Sequence, residues 1–175
     1  MNWYKNGYVV SELKNNDYTY NVWPLEDIDD DNGAALLTEE SDNNWFLKYD
    51  MQHIAPDFRF AYRYLQYCLE KGIRANILLY ETDNSEITVS DNNLQTELLG
   101  FDCIGDVYYS YLKNEYEYFK EDLSARGIYI NEYGLMDSLE DVLDYINLRQ
   151  KDINSGIMLE DFWKEVPVKI SCIRL

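Results

Sequence analysis

An α+β fold is predicted: a mainly antiparallel sheet with three to four helices packed on it, in a single domain spanning residues 1–175. Three observations predict it. β-type residues gather at both ends, around Tyr8-Val9-Val10 and along Val168, Ile170 and Cys172. Residues 57–71 and 104–123 space their apolar side chains at helical intervals. Between them the unbroken apolar run Ile77 to Tyr80 has the character of a strand inside a sheet. Strands and helices in this order suggest α+β, a mainly antiparallel sheet with helices packed on it.

The elements follow in order. Trp3, Tyr4, Tyr8, Val9 and Val10, then Tyr18, Tyr20, Val22 and Trp23, flank the turn-rich Lys14-Asn15-Asn16-Asp17 and read as a hairpin whose second strand ends at Pro24. Leu25 to Asp50 is an acidic loop region with a turn signal at Asn32-Gly33. Pro56-Asp57 opens a helix over 57–71 with Phe58, Ala61, Leu65, Cys68 and Leu69 on its apolar face, closed at Lys71-Gly72. A central strand over 73–82 follows, then a turn at Asp83-Asn84-Ser85 and a short strand from Glu86 to Val89.

Over 104–123, Ile104, Tyr108, Tyr111, Leu112, Phe119 and Leu123 predict a helix ended by Arg126-Gly127. Ile128 to Ile130 reads as a strand and Tyr133-Gly134 as a turn. Ser138, with Asp141 three residues on, resembles a capping box and starts a helix to about Gln150, with Leu139, Val142, Leu143 and Ile146 inward. The last segment offers a short helix broken before Pro167 and an alternating strand with Val168, Ile170, Cys172 and Arg174 on one face.

The charge narrows the functional classes. Fifteen Lys and Arg stand against 33 Asp and Glu, a net charge of −18. Such a surface repels phosphates, which disfavours direct binding to nucleic acid or an anionic membrane and favours a basic macromolecular partner. No apolar run of about 18 residues is present, and Met1 to Asn16 does not read as a leader, so a cytoplasmic location is expected. The expected oligomeric state is a monomer. Cys68, Cys103 and Cys172 are an odd, widely spaced set without CxxC or Cys/His pairing, and read as reduced core thiols with no metal or disulfide role.

Catalytic signatures are absent: no GxxxxGK[ST], HExxH, GxSxG or Rossmann glycine fingerprint occurs. His53 is the one imidazole and has no evident catalytic partner. With so many acids a carboxylate pair such as Glu39-Glu40 arises by chance, so no enzyme and no cofactor are expected. The stretch Ile28 to Glu39 places Gly33 and Glu39 at EF-hand positions six and twelve, but position one is Ile, and a solvated loop is the better reading. Arg59 and Arg63 share one face of the first helix among Phe60, Tyr62, Tyr64 and Tyr67; pairing with the chain's own acids is the expected role.

What remains is acidity beside aromatic residues. Asp29, Asp30, Asp31, Glu39, Glu40 and Asp42 lie near Trp45, and Glu115, Glu117 and Glu121 alternate with Tyr116 and Tyr118. Carboxylates steer a basic partner into encounter, and Trp or Tyr anchors slow its release. These twelve residues are the candidate partner-binding set.

The stretch Leu98 to Asn114, with its Leu-Gly-aromatic-Asp entry into a helix at Leu99 to Asp102, is followed by Ile130 to Gln150, with Asn131, Gly134, Leu135 and Ser138 as a loop into an acidic helix. Together they resemble the C-terminal half of small bacterial immunity proteins of polymorphic-toxin and contact-dependent growth inhibition systems. The resemblance implies a protein that binds a cognate toxin domain, basic and nuclease-type, one to one, and occludes its active site without chemistry. It carries over no contact residue, because such surfaces vary with the toxin. The alternatives are an acidic nucleic-acid mimic that inhibits host nucleases or regulators, and an enzyme with a carboxylate- or Tyr-based site.

Overall fold

The computed structural model describes residues 1–14, 17–18, 57–85, 88–89, 93–105, 110–158 and 165–175. In chain order these give β1 (Tyr4–Lys14), β2 (Asp17–Tyr18), α1 (Phe58–Glu70), β3 (Ala75–Thr82), β4 (Thr96–Ile104), α2 (Tyr111–Ala125), α3 (Leu139–Asn154) and β5 (Val166–Ile173). The strands form one sheet in the order β2-β1-β3-β5-β4, and every neighbouring pair is antiparallel. The α+β class and the antiparallel sheet are as the sequence predicts.

Alternation along the strands sends side chains to two faces. Tyr8, Val10, Ile77, Leu79 and Ile173 cluster with Ala61, Leu65 and Cys68 of α1. Further along the same face, Cys103 of β4 packs with Tyr111, Leu112, Phe119 and Leu123 of α2 and with Val142, Tyr145 and Leu148 of α3. Between the two clusters runs a polar seam, where Lys169 ion-pairs with Glu81 at 2.5 Å and lies 5.8 Å from the centre of the Trp3 ring. The register turns Val9, Leu78, Tyr80, Val168, Ile170 and Cys172 to the opposite face, where all are buried. An interior strand buried on both faces is what the apolar run Ile77 to Tyr80 requires, and β3 lies between β1 and β5.

Local chemistry fixes the helix ends. Asp57 caps α1, its Oδ1 accepting from the Arg59 backbone N–H at 2.8 Å. Hydrogen bonds from the Arg59 guanidinium hold the Asp57 carboxyl below the usual carboxylate range. Past the helix, Gly72 takes φ +76°, and its N–H reaches the Leu69 carbonyl at 3.0 Å, a conformation that favours glycine. Ser138 caps α3: its Oγ accepts from the Asp141 N–H at 3.1 Å and donates to Asp141 Oδ2 at 2.7 Å. Ser138→Ala is expected to cost about 1 kcal/mol in urea unfolding, the usual worth of an N-cap hydroxyl.

Several local expectations are corrected. The helix expected over 104–123 is two elements: Ile104 ends β4, and α2 starts at Tyr111, so Leu99 to Asp102, expected as the entry into that helix, lie instead within a strand paired with β5. Ile128 to Ile130 forms no strand; Ile130 makes one isolated bridge to Met136. In α3, Leu143 is exposed and Leu139 half-buried, while Tyr145, Leu148 and Arg149 join Val142 inside. Pro167 lies within β5 rather than before it, opposite Cys103 of β4. Pairing with β3 begins only at Lys169, so the missing proline N–H removes no bond on that side. Of the expected strand from Glu86 to Val89, residues 86–87 lie outside the described residues; Val89 is in no strand, although its N–H donates to the Lys5 carbonyl at 2.9 Å.

The hairpin of β1 and β2 pairs Leu13 with Tyr18 and Lys14 with Asp17. Its extension through Tyr20 to Trp23, Pro24, the Ile28 to Glu39 loop, His53 and the short helix before Pro167 fall wholly or mainly outside the described residues. Cys68, Cys103 and Cys172 are buried free thiols. No helix among the described residues is long and apolar enough to cross a membrane.

The outer edge of β4 is covered by the turn Asn131 to Met136. Phe101 and Met136 exchange both backbone hydrogen bonds, at 2.8 and 2.9 Å. Asn131 organises the turn, its Oδ1 accepting from the N–H groups of Tyr133 and Leu135 while its Nδ2 donates to the Leu99 carbonyl at 2.9 Å. Unpaired strand edges invite foreign strands, and this turn occupies the middle of one.

Candidate functional site

The second helix carries five of the twelve candidate binding residues, and its periodicity sorts them. Tyr111, Leu112, Tyr116, Phe119 and Leu123 face α3 and the sheet. Phe119 meets Tyr145 edge-on at a centroid distance of 5.5 Å. Tyr116 is therefore a core residue, not a surface anchor. Glu115, one position earlier, also points inward.

Glu115 belongs to a buried ionic cluster. Arg149 of α3, 1% exposed, donates from Nε to Glu115 Oε2 at 2.7 Å and from Nη1 to Glu165 Oε1 at 2.5 Å. Its guanidinium carbon lies over the Tyr111 ring, 3.8 Å from the ring centre, a cation–π contact. Gln150 Nε2 donates to both oxygens of Glu165, at 2.7 and 2.6 Å, and the Tyr145 hydroxyl donates to Glu115 Oε2 at 3.2 Å. A planar fork with two carboxylates and a ring face is a setting that arginine fits and lysine does not.

Burial, the nearby Glu115 charge and the hydrogen bond to it all push the Tyr145 phenol far above its ordinary range. Burial, then Asp102 and Glu165, do the same to the Cys103 thiol. Both groups keep their protons at physiological pH, so neither supplies a ready nucleophile. The cluster ties α2 and α3 to the start of β5.

The outward side of α2 is different. Glu117, Tyr118, Glu121 and Asp122 are exposed. Glu117 pairs with Lys120 at 3.0 Å across one turn. Tyr118, 58% exposed, donates its hydroxyl to Asp152 Oδ2 of α3 at 3.0 Å, and that bond raises the phenol above its ordinary range. Tyr118 thus stands as a protonated ring held by a carboxylate, with Glu117, Glu121 and Asp122 on the same helix. This surface can receive cations and offer one flat apolar face between them.

Of the candidate set, the structure therefore brings Glu117, Tyr118 and Glu121 to one exposed surface and places Glu115 and Tyr116 behind it. Asp29, Asp30, Asp31, Glu39, Glu40, Asp42 and Trp45 lie outside the described residues. Sequence reasoning missed Arg149. Its position four residues after Tyr145 and seven after Val142 was the signal, because that spacing puts it on the inward stripe.

No group of three or more His, Cys, Asp or Glu side chains is placed to hold a metal among the described residues. Against protein-family models, curated proteins and solved structures alike, the chain finds no match.

Proposed function

We propose that this chain is a non-catalytic binding protein of the immunity type, which neutralises a basic, nuclease-type bacterial toxin domain by lying over its active site. The observation that carries this reading is the exposed surface of α2, where Glu117, Glu121 and Asp122 accompany Tyr118 on a chain of net charge −18. Carboxylates attract the Lys and Arg side chains that a nuclease uses to hold phosphate, and a half-exposed tyrosine supplies the apolar contact that slows dissociation. Asp29, Asp30, Asp31, Glu39, Glu40, Asp42 and Trp45 extend the same chemistry in this proposal. The complex is one-to-one and cytoplasmic, and needs no cofactor.

Co-expression with the toxin-like C-terminal domain encoded directly upstream in the native genome tests it. Growth is expected only when this protein is present. With the complex in hand, Glu117→Lys with Glu121→Lys is expected to slow association about tenfold at low salt, and the difference from the unmodified chain to shrink as salt screens the surface. Death of the cells regardless, or capture of many unrelated nucleic-acid enzymes instead of one partner, overturns the reading, the latter in favour of a general mimic of nucleic acid.

A further inference from the structure

The outward face of α1 breaks the charge pattern of the molecule. Asp57 to Arg74 holds four basic and two acidic side chains, in a chain with 15 and 33. The same face leaves apolar surface in water: Tyr62 is 42% and Leu69 49% exposed, two turns apart, with exposed Gln66 between them. Arg59, Arg63 and Glu70 flank that stripe and are also exposed.

We propose that a second copy of this chain docks on this face, with the two α1 helices antiparallel and related by a two-fold axis near Gln66. The sequence of the face is self-complementary under that operation. Tyr62 of each copy meets Leu69 of the other, so both exposed apolar side chains are covered twice over. The same register sets Arg59 and Arg63 opposite Glu70 of the second copy. Arg59 already pairs with Asp57 at 2.6 Å, yet its side chain is 85% exposed, so it can add a contact without giving up the first. Antiparallel alignment also brings the positive N-terminal end of each helix beside the negative C-terminal end of the other.

Charge selects this face over others. Two copies that each carry −18 repel wherever acidic surfaces oppose, and the segment from Asp57 to Arg74 is locally positive. A two-fold contact of identical patches closes on itself and stops at a dimer. One helix face is a small interface, so the dimer forms reversibly with concentration. This departs from the monomer expected from the sequence and is independent of any toxin.

Sedimentation equilibrium of the full chain, from micromolar to near-millimolar protein, is expected to show a monomer–dimer equilibrium. Leu69→Lys, which opposes Tyr62 and the arginines of the second copy with a further cation, is expected to weaken it at least about tenfold. Arg59→Glu weakens it, and Arg59→Glu combined with Glu70→Arg restores it. Gln66→Cys is expected to form a disulfide-linked dimer under mild oxidation, whereas Glu121→Cys does not; the native thiols are buried and do not compete. A monomer across the whole range, a dimer indifferent to Leu69→Lys, or crosslinking at Gln66→Cys no better than at Glu121→Cys overturns the proposal.

Discussion

Arg149→Ala is expected to cost about 3–5 kcal/mol of stability, the range found when one partner of a buried ion pair is removed. The reason lies in what is left behind. Glu115 and Glu165 lose their shared cation inside the protein, and among the described residues Gln150 is left donating to Glu165 and Tyr145 to Glu115. The Tyr111 ring loses the guanidinium that lies over it as well. Arg149→Lys is expected to recover less than half of the loss, since one ammonium cannot span both carboxylates and lie flat on the ring. Urea unfolding followed by near-UV circular dichroism checks both variants. An Arg149→Ala protein as stable as the unmodified one would mean that the two carboxylates find water or another donor.

Gly100→Ala is the second large effect, expected to cost about 2–4 kcal/mol from backbone strain and overpacking together. Gly100 lies at φ +149°, where a side chain is strained. A Cβ there would come to 2.7 Å from the Met136 carbonyl oxygen, 2.8 Å from Leu135 Cβ and 3.1 Å from Asn131 Nδ2. Two of these neighbours belong to backbone or a buried side chain and cannot simply swing away. Relief comes from pushing the Asn131 to Met136 turn off β4, so the amides of Phe101 and Met136 are expected to exchange with deuterium faster than in the unmodified protein. Unchanged exchange at these two amides would show that strain is absorbed within β4 and that the turn stays seated.

How much of this was legible in the sequence varies with how local the cause is. Asp57 and Ser138 were readable as helix starts because capping is a contact within three residues. Ile77 to Tyr80 was readable as an interior strand because burial on both faces leaves an unbroken apolar run. β4 was not readable as a strand: the register shift between Leu98 and Gly100 interrupts its alternation, and Glu97 and Asp102 dilute its apolar character. The helical periodicity of α2 then pulled Ile104 into the wrong element.

The candidate surface shows the same division. Glu115, Glu117 and Glu121 are alike in sequence, and only the packing of α2 on α3 distinguishes the one that turns inward to Arg149 from the two in solvent. An arginine whose partners are 16 and 34 residues away gives no local sign of being buried. The edge-covering turn was half legible, as Tyr133-Gly134, while its docking on Phe101 depends on a contact between distant parts of the chain.

The strand order has a consequence for synthesis. Among the described residues β4 has one strand neighbour, β5, and β5 follows it in the chain after both α2 and α3. While the chain emerges from the ribosome, β1 and β3 can zip together and α1 can settle on them, whereas β4 is held by the Asn131 to Met136 turn and by the packing of α2 and α3 on Cys103, with no strand yet beside it. The nascent chain therefore carries two separate hydrophobic patches, one under α1 and one between α2 and α3. They share a sheet only when Val166–Ile173 slides between β3 and β4. Until that strand is in place, the inner edges of β3 and β4 lie open to the nascent chain's surroundings, as unpaired strand edges do.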